Sequence, residues 1–220
     1  MAWRLPALTA ILLLLSGCSS PADRLRRDLN SPDPMRRAKA CERLGQLKDR
    51  NAVPMLINLL VDTIPIVRLN AALALAKIKD ETALPHLAQR AEKEPQDEVR
   101  MAMVRALADF GQGGIAPLIE LTNSLNPLVR KAACQGLGRI GGHQAVEPLI
   151  RRLDDPDFNV RRAAIIALRR IGDPRGLEAI ARKVQSPDPA TEEAAAEALS
   201  GRGYEEQLNR IKHLLRQFRQ

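Results

Sequence analysis

The sequence predicts an all-α fold, an α-solenoid of about six helix pairs with a capping helix at its N-terminal end. Three observations predict it. From residue 33 onward the chain is self-similar at about 31 residues. Every copy carries one apolar stripe at helical spacing. Hydrophobic residues make up 45% of the chain, yet aromatic residues only 2%. A core built from Ala, Leu, Ile and Val suits helices whose axes pack closely, whereas a single thick core is usually filled with rings.

The register is set by Arg37, Arg68, Arg100, Arg130 and Arg161, with Glu192 at the same place in the last copy. Three residues on stand Ala40, Ala71, Met103, Ala133, Ala164 and Ala195. Seven residues on stand Leu44, Leu75, Leu107, Leu137, Leu168 and Leu199. These offsets place one stripe along the first helix of each pair, helix A. Asp33, Asn126, Asp157 and Asp188 stand where an N-cap is wanted, and Pro34, Pro127 and Pro189 follow at the first helical position. Gly111, Gly141, Gly172 and Gly203 mark its end, where a left-handed residue closes a helix. A second helix, helix B, begins near Pro54, Pro85, Pro117 and Pro148. It is expected to bury the pairs Leu56/Ile57, Leu87/Ala88, Leu118/Ile119, Leu149/Ile150 and Ile180/Ala181.

The copies run near 33–62, 63–94, 95–124, 125–155, 156–186 and 187–220, inside a repeat domain covering 24–220. Both ends read as caps. The segment PADRLRRDLN fits one further helix B, with Leu25 and Leu29 in register and Arg26 in the place of Ile57, as suits a face left to solvent. In the last copy Glu192, Glu193 and Glu197 make helix A polar, and 204–218 forms its helix B.

This pattern resembles the HEAT repeat, in the short bacterial form associated with phycobilin-lyase subunits. The resemblance covers nearly all of the chain after the leader. It is strongest in NPLVRKAACQGLGRIGGHQAVEPLI and DFNVRRAAIIALRRIGDPRGLEAI. It implies that the B helices line a concave, partner-holding face. It also implies that the anchor arginines are structural, each bonded to an Asp near the start of helix A in its own or the neighbouring copy, with Asp33, Asp157 and Asp188 available.

The first 17 residues, MAWRLPALTAILLLLSG, carry one charge, Arg4, ahead of an apolar run too short for a comfortable membrane span. They have the layout of a secretory leader. Leu15-Ser16-Gly17-Cys18 resembles the bacterial lipobox, which implies that Cys18 is acylated and becomes the mature N-terminus, with 18–23 as a short tether. Ser19 is not the Asp that typically retains such lipoproteins at the inner membrane, so the resemblance points to the outer membrane, facing the periplasm. The net charge is +8, and losing Arg4 with the leader makes it +7. An exported chain makes nucleic acid an unsuitable partner despite that charge.

Little chemistry is visible. His86, His143 and His213 stand in three different copies, each without a neighbouring Glu, and no His/Cys/carboxylate cluster has metal-ligand spacing. Gly111-Gln112-Gly113-Gly114 joins two helices and no strand precedes it, so it is no nucleotide cradle. Cys41 and Cys134 both fall four residues after an anchor, in the apolar stripe and three copies apart. That separation is far beyond the ~7 Å reach of a disulfide, so both read as buried free thiols. The expectation is a chain with no catalytic, cofactor or metal residues.

What distinguishes the copies is what they expose. One B-helix column expected to face solvent is Asn58, Gln89, Glu120, Arg151, Arg182 and His213. Its neighbour is Leu59, Arg90, Leu121, Arg152, Lys183 and Leu214. Residues 126–186 hold 12 Lys+Arg against 6 Asp+Glu, so the face turns basic in copies four and five. A charged face is often merely solvated. Read as functional, Arg90, Glu120, Arg151, Arg152, Arg182, Lys183 and His213 are the candidate partner-binding residues, and a row of cations suits an acidic protein surface, anionic lipid or acidic glycan. The sequence therefore reads as a membrane-anchored, non-enzymatic scaffold expected to act as a monomer and to bind a protein. The alternatives are a bilin-lyase-like enzyme or subunit, and a direct binder of anionic lipid or glycan.

Overall fold

A computed structural model describes residues 20–200. It falls into two compact units, Met1–Ile78 and Lys79–Gln220, and the division lies inside the second copy. The described residues hold twelve α-helices.

In the first unit these are α1 (Pro21–Asp28), α2 (Pro34–Leu47), α3 (Val53–Leu59) and α4 (Pro65–Ile78). Helices α2 and α4 are A helices and stack on each other, with α1 against α2 and α3 against α4. The expected capping helix is present: Leu29 is buried beside its end and Leu25 is half-buried. Arg26 does not simply face solvent. It is ion-paired to Asp23 on its own helix and to Asp49 at the turn between α2 and α3.

The second unit continues with α5 (Leu84–Lys93), α6 (Asp97–Asp109), α7 (Ile115–Leu121), α8 (Pro127–Ile140), α9 (Val146–Arg151), α10 (Phe158–Ile171), α11 (Pro174–Lys183) and α12 (Pro189–Leu199). The A helices α6, α8, α10 and α12 stack in one layer. The B helices α5 and α7, and α9 and α11, pair in a second layer that packs on the first. Each unit is thus a two-layer solenoid segment in which an element touches only near neighbours in sequence.

The stripe predicted for helix A is the core. Leu44, Leu75, Leu107, Leu137, Leu168 and Leu199 are all buried, as are Ala40, Ala71, Met103, Ala133, Ala164 and Ala195. The caps form as their side chains dictate. Asp33 accepts from the Met35 amide at 2.9 Å, Asn126 from Leu128 at 2.9 Å, Asp157 from Asn159 at 2.8 Å and Asp188 from Thr191 at 3.1 Å. Gly111, Gly141 and Gly172 have positive φ, and at the same register Lys48 (φ 50°) and Lys79 (φ 59°) adopt it without glycine.

Each of the first four B helices is entered through a turn of 3₁₀ helix, which puts Pro54 and Pro85 second and Pro117 and Pro148 third in their helices. Asp49, Asp80 and Asp173 cap the entry to the B side, a second capping column absent from the sequence reading. The expected buried pairs hold in part. Leu56, Leu87, Leu118, Leu149 and Ile180 are buried, and so are Ala88 and Ala181. Ile57, Ile119 and Ile150 are only half-buried, because that position lies at the edge of the B helix and a branched side chain there extends past its neighbours.

Candidate functional site: the two helix faces of the repeat

Five anchor arginines clamp the loops that join one pair to the next. Arg37 sends Nη1 to the Ser31 and Pro32 carbonyls at 2.8 and 3.1 Å, and Arg130 sends Nη1 to Ser124 and Leu125 at 2.9 and 3.2 Å. Arg68 does the same to Asp62 and Thr63, and Arg161 to Asp155 and Pro156. Arg100 holds the Glu94 carbonyl and pairs with Asp97. The structural reading of this column stands, with a correction to its acids. Arg161 reaches Asp188 at 2.8 Å as expected, but Arg37 pairs with Asp62 and Arg130 with Asp155, not with the capping Asp33 and Asp157. Asp62 and Asp155 sit in the loop before the next helix A, where the guanidinium arrives, and each also accepts a backbone amide there, from Ile64 and Asp157.

On the B face, the first expected column is exposed: Asn58, Gln89, Glu120, Arg151 and Arg182 all reach solvent. The second is not. Leu121 is buried, and Leu59, Arg90, Arg152 and Lys183 are half-buried. Arg152 donates from Nη1 to the Thr122 carbonyl at 3.1 Å and lies 3.5 Å from the buried Asp155 carboxylate. It is a brace between B-side segments one repeat apart, so reversing its charge would disturb the fold. Arg90 pairs with the buried Glu94 at 3.2 Å, and Lys183 with Asp154. Arg182 pairs with Glu178 at 2.6 Å on an exposed surface, a contact that holds little energy. Among the described B-face candidates, Glu120, Arg151 and Arg182 are the ones that present themselves outward.

Between α5 and α7 the B face opens into a recess of about 420 Å³ lined by Pro85, Gln89, Glu92, Pro117, Glu120 and Leu121, among others. Glu92 accepts a hydrogen bond from the Ser124 hydroxyl at 2.7 Å. The recess and the outward column thus present Glu92 and Glu120 at α5 and α7, and Arg151 and Arg182 at α9 and α11.

Cys41 and Cys134 are free and buried, and burial pushes each thiol up to about 12. Among the described residues no group of three His, Cys, Asp or Glu side chains could hold a metal ion, and no helix is long and apolar enough to cross a membrane. Cys18 and His213 lie outside the described residues.

Two-layer helix pairs braced by a loop-clamping arginine define a helical-repeat protein. The profile for HEAT repeats matches residues 22–108, 85–167, 115–182 and 146–218, and the chain belongs to the HEAT-repeat family. No curated protein matches it. Among solved structures it is similar to the complex of CpcE and CpcF of phycocyanin lyase from Nostoc sp. PCC7120, at 24% identity and a TM-score of 0.54 over 90% of this chain and 80% of that one. It is also similar to a designed armadillo repeat protein in complex with the peptide (KR)4, at 21% identity and a TM-score of 0.50 over 82% of this chain and 98% of that one. An engineered protein matches at 23% identity and a TM-score of 0.50 over 89% of this chain and 98% of that one. These likenesses concern the fold. A repeat scaffold of this kind suggests binding to other proteins.

Proposed function

We propose that this chain is an exported, lipid-anchored, non-enzymatic scaffold that holds a partner protein on the B-helix face. The observation that carries the reading is the outward column Gln89, Glu120, Arg151 and Arg182 on four successive B helices, beside the recess between α5 and α7. A regular row of exposed side chains on a rigid layer is what a binding surface needs, because the scaffold is already ordered before the partner arrives. The row changes sign along its length, so the partner presents basic groups to Glu92 and Glu120 and acidic groups to Arg151 and Arg182. The preference for an acidic partner narrows to that second stretch.

The leader and Leu15-Ser16-Gly17-Cys18 support anchoring through acylated Cys18 in the outer membrane, facing the periplasm. Acyl chains contribute ~0.8 kcal/mol per buried CH₂, enough with several chains for stable attachment.

Photo-crosslinking residues placed singly at Gln89, Glu120, Arg151 and Arg182 of the full chain, expressed in a bacterial envelope, test the binding face. One protein captured from several of these positions, and lost in the Arg151→Glu/Arg182→Glu double variant, supports the reading. Capture from none of them refutes it. Cys18→Ala tests the anchor: palmitate labelling should vanish and the precursor accumulate, and unchanged labelling would refute acylation at Cys18. Absorbance after incubation with a bilin separates this reading from a lyase-like activity.

A further inference from the structure

Most of the second unit's described cations without an acidic partner lie on the A-helix face, opposite the one the sequence pattern singles out. Helices α8 and α10 contain seven basic residues (Arg130, Lys131, Arg139, Arg161, Arg162, Arg169, Arg170) and no Asp or Glu. Arg130 and Arg161 are consumed as loop clamps. The other five remain on the outer side, joined by Arg105 from α6. Among the described residues Arg105, Lys131, Arg162, Arg169 and Arg170 have no carboxylate partner, and Arg139 meets only Asp109, at 3.4 Å on an exposed surface. On the B face Arg152, Arg175, Arg182 and Lys183 all have acidic partners, and Arg151 stands without one.

Three of these cations stand around a recess. Between α6, α8 and α10 lies a cavity of about 300 Å³ whose floor is Ala132, Gly136, Ala163 and Ala167, with Arg105, Arg139 and Arg170 at its rim. Ile166 stands at its edge, 55% exposed. An apolar hollow ringed by arginines from three successive repeats asks for an apolar group flanked by anions.

We infer that the A-helix face of α6, α8 and α10 is a second docking surface, occupied by an acidic protein segment that lodges one apolar side chain in this recess. Charge complementarity argues for the occupant. Guanidinium forks bind carboxylates in two-pronged geometry, and arginines on adjacent helices stand ~10 Å apart. A polyproline II chain rises ~3.1 Å per residue with three residues per turn, so carboxylates three residues apart lie on one side, match that spacing and leave an apolar residue between them to reach the hollow. A bilayer surface is flat and would leave the recess empty. The inference is independent of what the B face holds.

The test is fluorescence anisotropy of the full unlipidated chain with three peptides: repeated Glu-Ala-Phe, the same with Phe replaced by Ser, and the same with Glu replaced by Lys. The first should bind, at least about tenfold more tightly than the other two. Its affinity should fall as salt rises through physiological strength, where the screening length is ~8 Å. Arg105→Glu with Arg170→Glu should weaken it at least about tenfold. Gln135→Trp, which fills the recess without altering charge, should weaken the Phe peptide and not the Ser peptide. Arg151→Glu with Arg182→Glu on the B face should change nothing. Equal loss from the A-face and B-face variants overturns the proposal, as does absence of any peptide binding. Binding to phosphatidylglycerol vesicles with no binding to peptide also overturns it, in favour of a lipid surface. Failure here, with crosslinks from the B face intact, leaves the proposed scaffold function standing.

Discussion

The Arg130 guanidinium grips Asp155 side-on, Nε to Oδ2 at 2.8 Å and Nη2 to Oδ1 at 2.7 Å, across 25 residues of sequence. The Asp155 side chain is wholly buried. With Nη1 on the Ser124 and Leu125 carbonyls, one side chain ties the loop before α8 to the loop before α10. Two consecutive repeats are thereby fixed in register by charge-assisted bonds and not by packing alone.

Arg130→Ala should cost about 3–5 kcal/mol, because a buried carboxylate loses its two-pronged partner and keeps only Arg152, at 3.5 Å. Urea denaturation of the full chain measures it. A loss below ~1 kcal/mol would show that water replaces the arginine freely and that the clamp is dispensable.

The same pair sets an acid limit. Burial alone raises the Asp155 carboxyl, but the Arg130 hydrogen bonds, the Asp157 amide and nearby charge outweigh it and hold it below its ordinary value; Asp62 beside Arg37 behaves alike. A carboxyl lowered in the folded state contributes stability that is present above the unfolded value of ~3.9 and lost as pH falls through the lower folded value. The urea midpoint should therefore drop as pH falls below about 4. Asp155→Asn, weaker at neutral pH, should drop less steeply; parallel curves would contradict the assignment.

Leu137 is fully buried in the middle of the A layer, at a position that is Leu in every copy. Leu137→Ala should cost about 2–5 kcal/mol by the lost transfer energy and the cavity left behind. A change near ~0.5 kcal/mol would mean that the layer collapses around the gap.

Gly138 lets α8 and α10 touch. A Cβ there would sit 2.7 Å from both Cα and Cβ of Ala167, and backbone cannot step aside. Gly45 meets Ala74 in the same way in the first unit, at 2.7 Å from its Cα. Gly138→Ala should therefore destabilise, although alanine is the better helix former by about 1 kcal/mol. Gly136→Ala should cost less, since its added Cβ would meet only side-chain atoms, at 3.1–3.3 Å. Thermal denaturation ranks the two, and the reverse order would refute the close helix approach.

Cys41 and Cys134 should resist alkylation in the native protein at pH 8, because burial pushes both thiols up to about 12 and leaves almost no thiolate. Both should react after unfolding in denaturant. An intact disulfide between them under non-reducing mass mapping would contradict their free state.

Much of this molecule is legible in its residues. Repeat length, helix A stripe, N-caps and left-handed terminators are local or periodic properties, and among the described residues each of them emerged where the spacing placed it; Gly203 lies outside those residues. The failures share a cause. Whether Arg152 faces solvent or braces Thr122, and whether Arg37 pairs with Asp33 or Asp62, depends on which loop of the next repeat comes within reach. Ile57 and Ala88 occupy one column, yet their burial differs with side-chain size at the edge of the layer.

The sequence by itself determined the family, the layer assignment and the core, because period and polarity dictate which side of each helix is buried. Only the tertiary structure decided which charges are free. Equivalent positions look alike along the chain, but neutralisation depends on carboxylates a few ångströms away in space. That is why the B-face cations are largely paired while Arg105, Arg139 and Arg170 converge, from three separate repeats, on one apolar hollow.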